Sequence, residues 1–155
     1  MIPNSTLFKT IKVYPCAESP RALYIPLSAN TISAGFPSPA NDYLESRIDL
    51  NEELIRNPSA TFFARVSGLS MLGAGIAEND ILVIDKSLQP RNGCIAVCCL
   101  DGEFTLKRIR IEGSLFDKKK TVWLVPENDN FKPIQVTEDN ELIIWGIVTY
   151  IIKQA

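Results

Sequence analysis

Two serines in the run VSGLSMLGAG, Ser67 and Ser70, and one lysine in EFTLKRI, Lys107, are the side chains with most to offer chemically. A serine hydroxyl becomes a nucleophile only beside a base. The chain contains no histidine, which excludes Ser-His-Asp and Cys-His arrangements and leaves Asp, Glu, Lys or a terminal amine as the base. Lysine normally stays protonated, its unperturbed pKa being about 10.4, but burial among apolar groups disfavours the charge and lowers that value by up to several units. A Ser–Lys pair is therefore the nucleophilic chemistry this composition permits, provided that the fold buries the lysine and brings the serine to it.

The elements that must do this can be read from the pattern. Asp101-Gly102 is a two-residue hairpin signal between the apolar runs CIAVCCL and EFTLKRIRI. In the simplest register opposed residue numbers sum to 203, so Lys107 faces Ala96 and Thr105 faces Cys98. Side chains alternate along a strand, which puts Cys94, Ala96, Cys98, Thr105 and Lys107 on one face and surrounds the lysine with small, mostly apolar groups. A strand ends near Ser67, Gly68 permits a sharp turn, and Ser70 then lies on the connection, where free backbone N–H groups can stabilise an oxyanion. Taken alone, the same residues also fit a strand lysine whose head reaches water and ordinary turn serines.

The rest of the chain frames these elements. At 155 residues, 46% of them apolar, it suits one domain with a real core, with a tail outside it. After Pro58 the runs ATFFARV, ILVID, CIAVCCL, EFTLKRIRI, TVWLVP and ELIIWGIVTYIIK are rich in β-branched and aromatic residues and are separated by turn signals. This predicts a mostly β protein, a partly closed antiparallel fold with short helices. Ser38 with Pro39 marks one helix start, and Asp49 with Glu52 has capping-box spacing for a second. DKKK at 117–120 reads as a solvated hairpin tip. Residues 1–34 show no clear period beyond a short strand in LFKTIKVYP and read as an extended, loosely held, flexible N-terminal arm.

Charge and cysteine usage narrow the function class. The net charge is −2; residues 1–34 hold Lys9, Lys12 and Arg21 against Glu18, or +2, so residues 35–155 carry −4. An acidic body gives no reason to expect direct, sequence-specific DNA binding. The four cysteines, Cys16, Cys94, Cys98 and Cys99, lack zinc spacing and read as buried free thiols in a reducing cytoplasm. No metal or cofactor is expected. MIPNSTLFKTIKVYP has no apolar signal-peptide core, and LIIWGIVTYII is too short to span a bilayer as a helix, so no membrane role is expected.

One further stretch stands out. SAGFPSP, from Ser33 to Pro39, sets a small residue beside a glycine, Ala34-Gly35, in a segment with no regular structure. AGFPSPA, SGLSM and DGEFTLKRI, in that order and spacing, resemble the LexA/UmuD family of self-cleaving Ser–Lys proteins, of peptidase S24 type. The resemblance is closest to its UmuD-like branch, accessory subunits of the error-prone DNA polymerase V, and runs from Gly35 to the C-terminus through DYLESRIDLNEELIRNPSATFF and GIAENDILVID.

The resemblance implies a fold like the LexA C-terminal domain over 35–155 and an arm, 1–34, removed by self-cleavage. It implies Ser70 as nucleophile, Lys107 as general base and Ala34-Gly35 as the scissile bond; many UmuD-like proteins carry Cys-Gly there, whereas Ala-Gly is the LexA-like form. The oxyanion would meet the backbone N–H groups of Ser70 or Met71, and Thr105 would help orient Lys107. It further implies stimulation by a RecA filament on single-stranded DNA, a homodimer to which the strand from Glu141 to Lys153 contributes, and a Y-family, UmuC-like polymerase as partner in translesion synthesis. A LexA- or phage-type repressor would want a helix-turn-helix, which the 34 residues before the bond do not show. A proteolytically inactive interaction module would have no need of both Ser70 and Lys107. A leader peptidase, which shares the Ser–Lys logic, would want a membrane anchor.

Overall fold

Asp101 and Gly102 have φ of 52° and 85°, the positive pair that a tight I′ hairpin requires. They join two strands whose partners run from Ile95 opposite Arg108 to Leu100 opposite Glu103, with Ala96 opposite Lys107, as the turn chemistry predicts and with no bulge. The computed structural model describes residues 13–16, 21–27, 34–35, 46–113 and 119–155. Within these, the strands are β1 (Val13–Pro15), β2 (Ile25–Leu27), β3 (Ser46–Ile48), β4 (Thr61–Arg65), β5 (Ile81–Asp85), β6 (Ile95–Leu100), β7 (Glu103–Glu112), β8 (Thr121–Val125), β9 (Ile134–Val136) and β10 (Leu142–Ile152), with one short helix, α1 (Leu50–Leu54).

Eight strands form one antiparallel sheet in the order β1-β4-β5-β10-β6-β7-β8-β9, and β2 pairs with β3 apart from it. The long β10 stitches two halves together: Leu142–Ile147 pair with β6 and Ile147–Ile152 with β5. Register shifts between Ile144 and Gly146 and between Val148 and Tyr150 let it change partners. Gly146 is required there, because a Cβ would come within 2.5 Å of Ile84 Cγ2. The mostly antiparallel β fold expected from the sequence is the one observed. Within the sheet order β10 is central, and the outermost strands among the described residues are β1 and β9. The large apolar side chains it leaves exposed are Ile143, Ile151 and Ile152.

Both faces of β6 are covered. Val97 joins Ala64, Met71, Ile76, Leu82 and Ile84 in one cluster, while Ala96 and Cys98 join Ile109, Leu124 and Ile147 in another. A strand buried on both faces reads as a continuous apolar run, which is why CIAVCCL does not alternate. Buried free thiols were expected throughout; Cys98 is buried, whereas Cys16, Cys94 and Cys99 are only half-buried. Burial pushes the Cys98 thiol up to about 12, so it is inert at neutral pH.

Asp49 caps α1, accepting the backbone N–H of Asn51 at 2.9 Å, and its other oxygen accepts from Leu23 N at 3.2 Å. The described parts of the N-terminal arm are thus tied down: by Asp49, by β2 on β3, and by β1 on the outer edge of β4. The Ser38/Pro39 helix start lies outside the described residues, as do Asp117 and Lys118 of the charged tip. The strands β3 and β9 are too short to have shown as patterned runs.

Candidate active site

Lys107 is buried, 8% exposed, on β7 opposite Ala96. Its ammonium nitrogen lies 2.8 Å from Thr105 Oγ1, 3.0 Å from the Leu106 carbonyl oxygen and 3.1 Å from Ser70 Oγ. None of the ion pairs among the described residues involves it. Loss of water around the amine therefore dominates and holds its pKa below the usual lysine value; a smaller opposing effect comes from Cys98. Three neighbours suit the neutral amine well. As an ammonium it donates to all three; as a neutral amine its two N–H bonds would donate to Thr105 Oγ1 and the Leu106 carbonyl, and its lone pair would be left for the Ser70 hydroxyl proton.

Ser70 arrives from a loop that leaves β4 and returns to β5. Its base is closed by Val66 N donating to the Asp80 carbonyl at 2.8 Å and Asn79 N donating to the Val66 carbonyl at 3.0 Å. Asp80 is buried and its carboxylate accepts from Ala77 N at 2.8 Å and from Lys153 Nζ at 2.5 Å, which together hold its pKa below the usual carboxylate value. Within the loop Gly68 takes φ of 106°, and Met71 is buried in the core beside Ile76. The buried methionine and the turn glycine fix the serine between them. Ser67, the other serine of the motif, is exposed.

A second segment, following β8, grips this loop. Glu127 N donates to the Ser70 carbonyl at 2.8 Å, Gly73 N donates to the Glu127 carbonyl at 2.6 Å, and Asn128 Nδ2 donates to the Leu69 carbonyl at 2.8 Å. Arg108, next along β7 from Lys107 and so pointing the opposite way, pairs with the Glu127 carboxylate through Nε and donates from Nη1 to the Gly93 carbonyl at 2.6 Å. In the sequence these residues read only as the turn signal PEND. The Pro-Glu-Asn-Asp cluster marks a turn, but nothing local tells which distant loop it holds.

The structure thus brings Ser70, Lys107 and Thr105 into one hydrogen-bonded group, with Met71 adjoining. Ala34 and Gly35 form a bend and both are exposed.

Comparison with known proteins gives a consistent result. Residues 26–149 match the family model described as Peptidase S24-like. The chain is similar to Protein MucA of Salmonella typhimurium, 39% identical over 141 residues that cover 90% of this chain and 92% of that protein. It is similar to Protein ImpA of Shigella flexneri, 40% identical over 83% of each chain. It is also similar to LexA repressor 1 of Pseudomonas syringae pv. tomato, 36% identical over 79% of this chain and 58% of the repressor.

Proposed function

Because this chain belongs to the peptidase S24-like family, we propose that it is a self-cleaving serine endopeptidase of the DNA-damage (SOS) response that cuts its own Ala34-Gly35 bond. The observation that carries this reading is the 3.1 Å approach of a buried, unpaired-by-carboxylate Lys107 Nζ to Ser70 Oγ. Neutral Lys107 takes the Ser70 hydroxyl proton as Oγ attacks the Ala34 carbonyl. The tetrahedral oxyanion meets the backbone N–H groups of Ser70 and Met71. Collapse breaks the C–N bond, Lys107 returns its proton to the Gly35 amine, and the Ala34 acyl group stays on Ser70. Water, deprotonated by Lys107, then hydrolyses the ester and restores the serine. Thr105 holds the amine in line throughout.

The cleavage products are an arm, 1–34, and a body, 35–155. Small side chains on both sides of the bond suit a tight cleft, and their exposure means that the segment must dock before it reacts. Stabilising the docked state raises the rate without new chemistry. A RecA filament on single-stranded DNA is the stimulus we assign to that step. The body then acts as a homodimer in the cytoplasm with a Y-family, UmuC-like polymerase in error-prone synthesis. Similarity to MucA and ImpA over most of their length supports this reading over that of a repressor, of which the matched region spans 58%.

The test is incubation of the purified protein from neutral pH to about 10, near the unperturbed lysine value, followed by intact mass. The expected result is cleavage after Ala34, faster at higher pH and absent in Ser70→Ala. No cleavage at any pH, with or without an activated RecA filament, identifies an interaction module that is not a protease.

A further inference from the structure

The peptide units on either side of Ser70 are both held by their carbonyl oxygens. Asn128 Nδ2 donates to the Leu69 carbonyl, and Glu127 N donates to the Ser70 carbonyl, each at 2.8 Å; Leu72 N also reaches the Leu69 carbonyl, at a longer 3.4 Å. In a trans peptide the C=O and the following N–H point in opposite directions, and no cis peptide occurs among the described residues. Anchoring the Leu69 carbonyl therefore sets where the Ser70 N–H points, and anchoring the Ser70 carbonyl sets where the Met71 N–H points. Both N–H groups face away from the 127–128 segment. No hydrogen bond among the described residues uses either of them.

The anchor is itself rigid. Asn128 Oδ1 accepts from Asn130 N at 3.0 Å, and its main-chain carbonyl accepts from Phe131 N at 3.0 Å. Its amide can be oriented in only one way, because the Leu69 carbonyl can only accept and the Asn130 N–H can only donate. Glu127 is bonded to the loop on both sides, and at Gly73 the approach is close enough that a Cβ would fall 2.6 Å from the Glu127 carbonyl oxygen. Arg108 braces Glu127 from the strand that carries Lys107.

We propose that Asn128 is a positioning residue for the self-cleavage reaction, aiming the Ser70 N–H at the oxyanion by holding the Leu69 carbonyl. The proposal rests on the Ser70–Lys107 reading above and adds to it a third element, remote in sequence from both. Oxyanion donors work by being fixed in advance at the place where charge develops, so a donor free to swing loses much of its effect.

The test uses the full chain with Asn128→Ser and Asn128→Asp. Both keep an oxygen able to accept the Asn130 N–H, and so preserve the turn, while neither retains the Nδ2 donor. Two quantities are read: the high-pH plateau of the self-cleavage rate, and the rate at which a fluorophosphonate labels Ser70, which needs the same donors without the docking of the arm. The expected result is a fall of about tenfold or more in both, approaching the roughly hundredfold cost of losing an oxyanion donor. In the uncharged Asn128→Ser variant the midpoint of the pH–rate profile stays in place, because no hydrogen bond of Asn128 goes to the side chain of Lys107, Ser70 or Thr105 or to the Leu106 carbonyl. Thermal melting within a few degrees of wild type establishes that the fold persists. Variants that fold and match wild type in both rates overturn the positioning role alone. A wild-type chain that neither cleaves nor labels at Ser70 overturns the peptidase reading, and this inference with it.

Discussion

Lys107 Nζ stands 3.1 Å from Ser70 Oγ, across 37 residues of sequence, with one hydroxyl and one carbonyl as its other partners. A buried cation without a carboxylate is costly, and the least costly response is to release the proton. That is also the state in which an amine can accept a proton from serine. Burial weakens the amine as a base but makes its proton-accepting form available at a lower pH.

Substitution of either residue should stop the reaction while sparing the fold. We expect Ser70→Ala and Lys107→Ala to cut self-cleavage by roughly 10³-fold or more, as for other nucleophile–base pairs. Lys107→Arg should fail equally, because a guanidinium stays charged at every relevant pH. Intact mass after prolonged incubation, alongside circular dichroism, checks both parts. Normal cleavage in Lys107→Ala would show that another group is the base.

The pH dependence has a definite sign. Only deprotonated Lys107 is a base, so the rate should climb with pH through the folded pKa of this lysine and level off above it. Burial sets that midpoint below the usual lysine value. Thr105→Val removes an acceptor that serves the ammonium form more strongly than the amine. Its midpoint should move to lower pH still, while the plateau falls about fivefold, the equivalent of one hydrogen bond of about 1 kcal/mol. A midpoint that rises in Thr105→Val would contradict the assignment.

Gly73 should not tolerate alanine. The added Cβ would meet the Glu127 carbonyl oxygen at 2.6 Å, and a main-chain atom cannot rotate aside. Gly73→Ala should therefore cost about 1–3 kcal/mol by chemical denaturation, the usual penalty of overpacking, and should slow cleavage by shifting the serine loop. Gly75, where a Cβ meets nothing within 4 Å, makes the control: alanine there strains only the left-handed backbone, φ 75°.

Asp80 ties the base of the same loop to Lys153 near the C-terminus. Its folded pKa lies below the usual carboxylate value, chiefly through the Lys153 hydrogen bond and then that from Ala77. The unfolded chain thus binds its proton more readily, so the stabilisation is complete above the unfolded pKa and is lost as pH falls through the folded one. Asp80→Asn should cost about 1–3 kcal/mol at pH 7, the worth of a hydrogen-bonded charge, and less near pH 3, which is below the unfolded carboxylate value. Denaturant midpoints of both proteins at the two pH values decide this; an equal difference at both would show that the charge is irrelevant.

How much of this was legible beforehand follows from the range of the interactions involved. Asp101-Gly102 fixes a hairpin because both residues accept positive φ, and the hairpin register then dictates that Lys107 faces Ala96 and shares its side with Thr105. Asp49 announces α1 in the same way, by a bond to a residue two positions on. Strand content was equally plain in the apolar runs. These are local facts, set by a few neighbouring torsions and by alternation along one strand.

The order of strands is a different matter. An apolar run records that both its faces are buried, not by what, so β10 gave no sign that it would pass from β6 to β5 at the centre of the sheet. Lys107 likewise stands opposite Ala96, which with Cys98 lies in a second core that Ile109, Leu124 and Ile147 complete. Most of all, the grip of Glu127 and Asn128 on the serine loop spans 54 to 59 residues. A turn-forming tetrapeptide advertises its own bend and nothing about its distant partner. Residue types and spacing determined which groups can react and on which face they stand. Only the packing of separate strands decided that the amine loses its water, that the hydroxyl reaches it, and that the peptides beside the serine are held still.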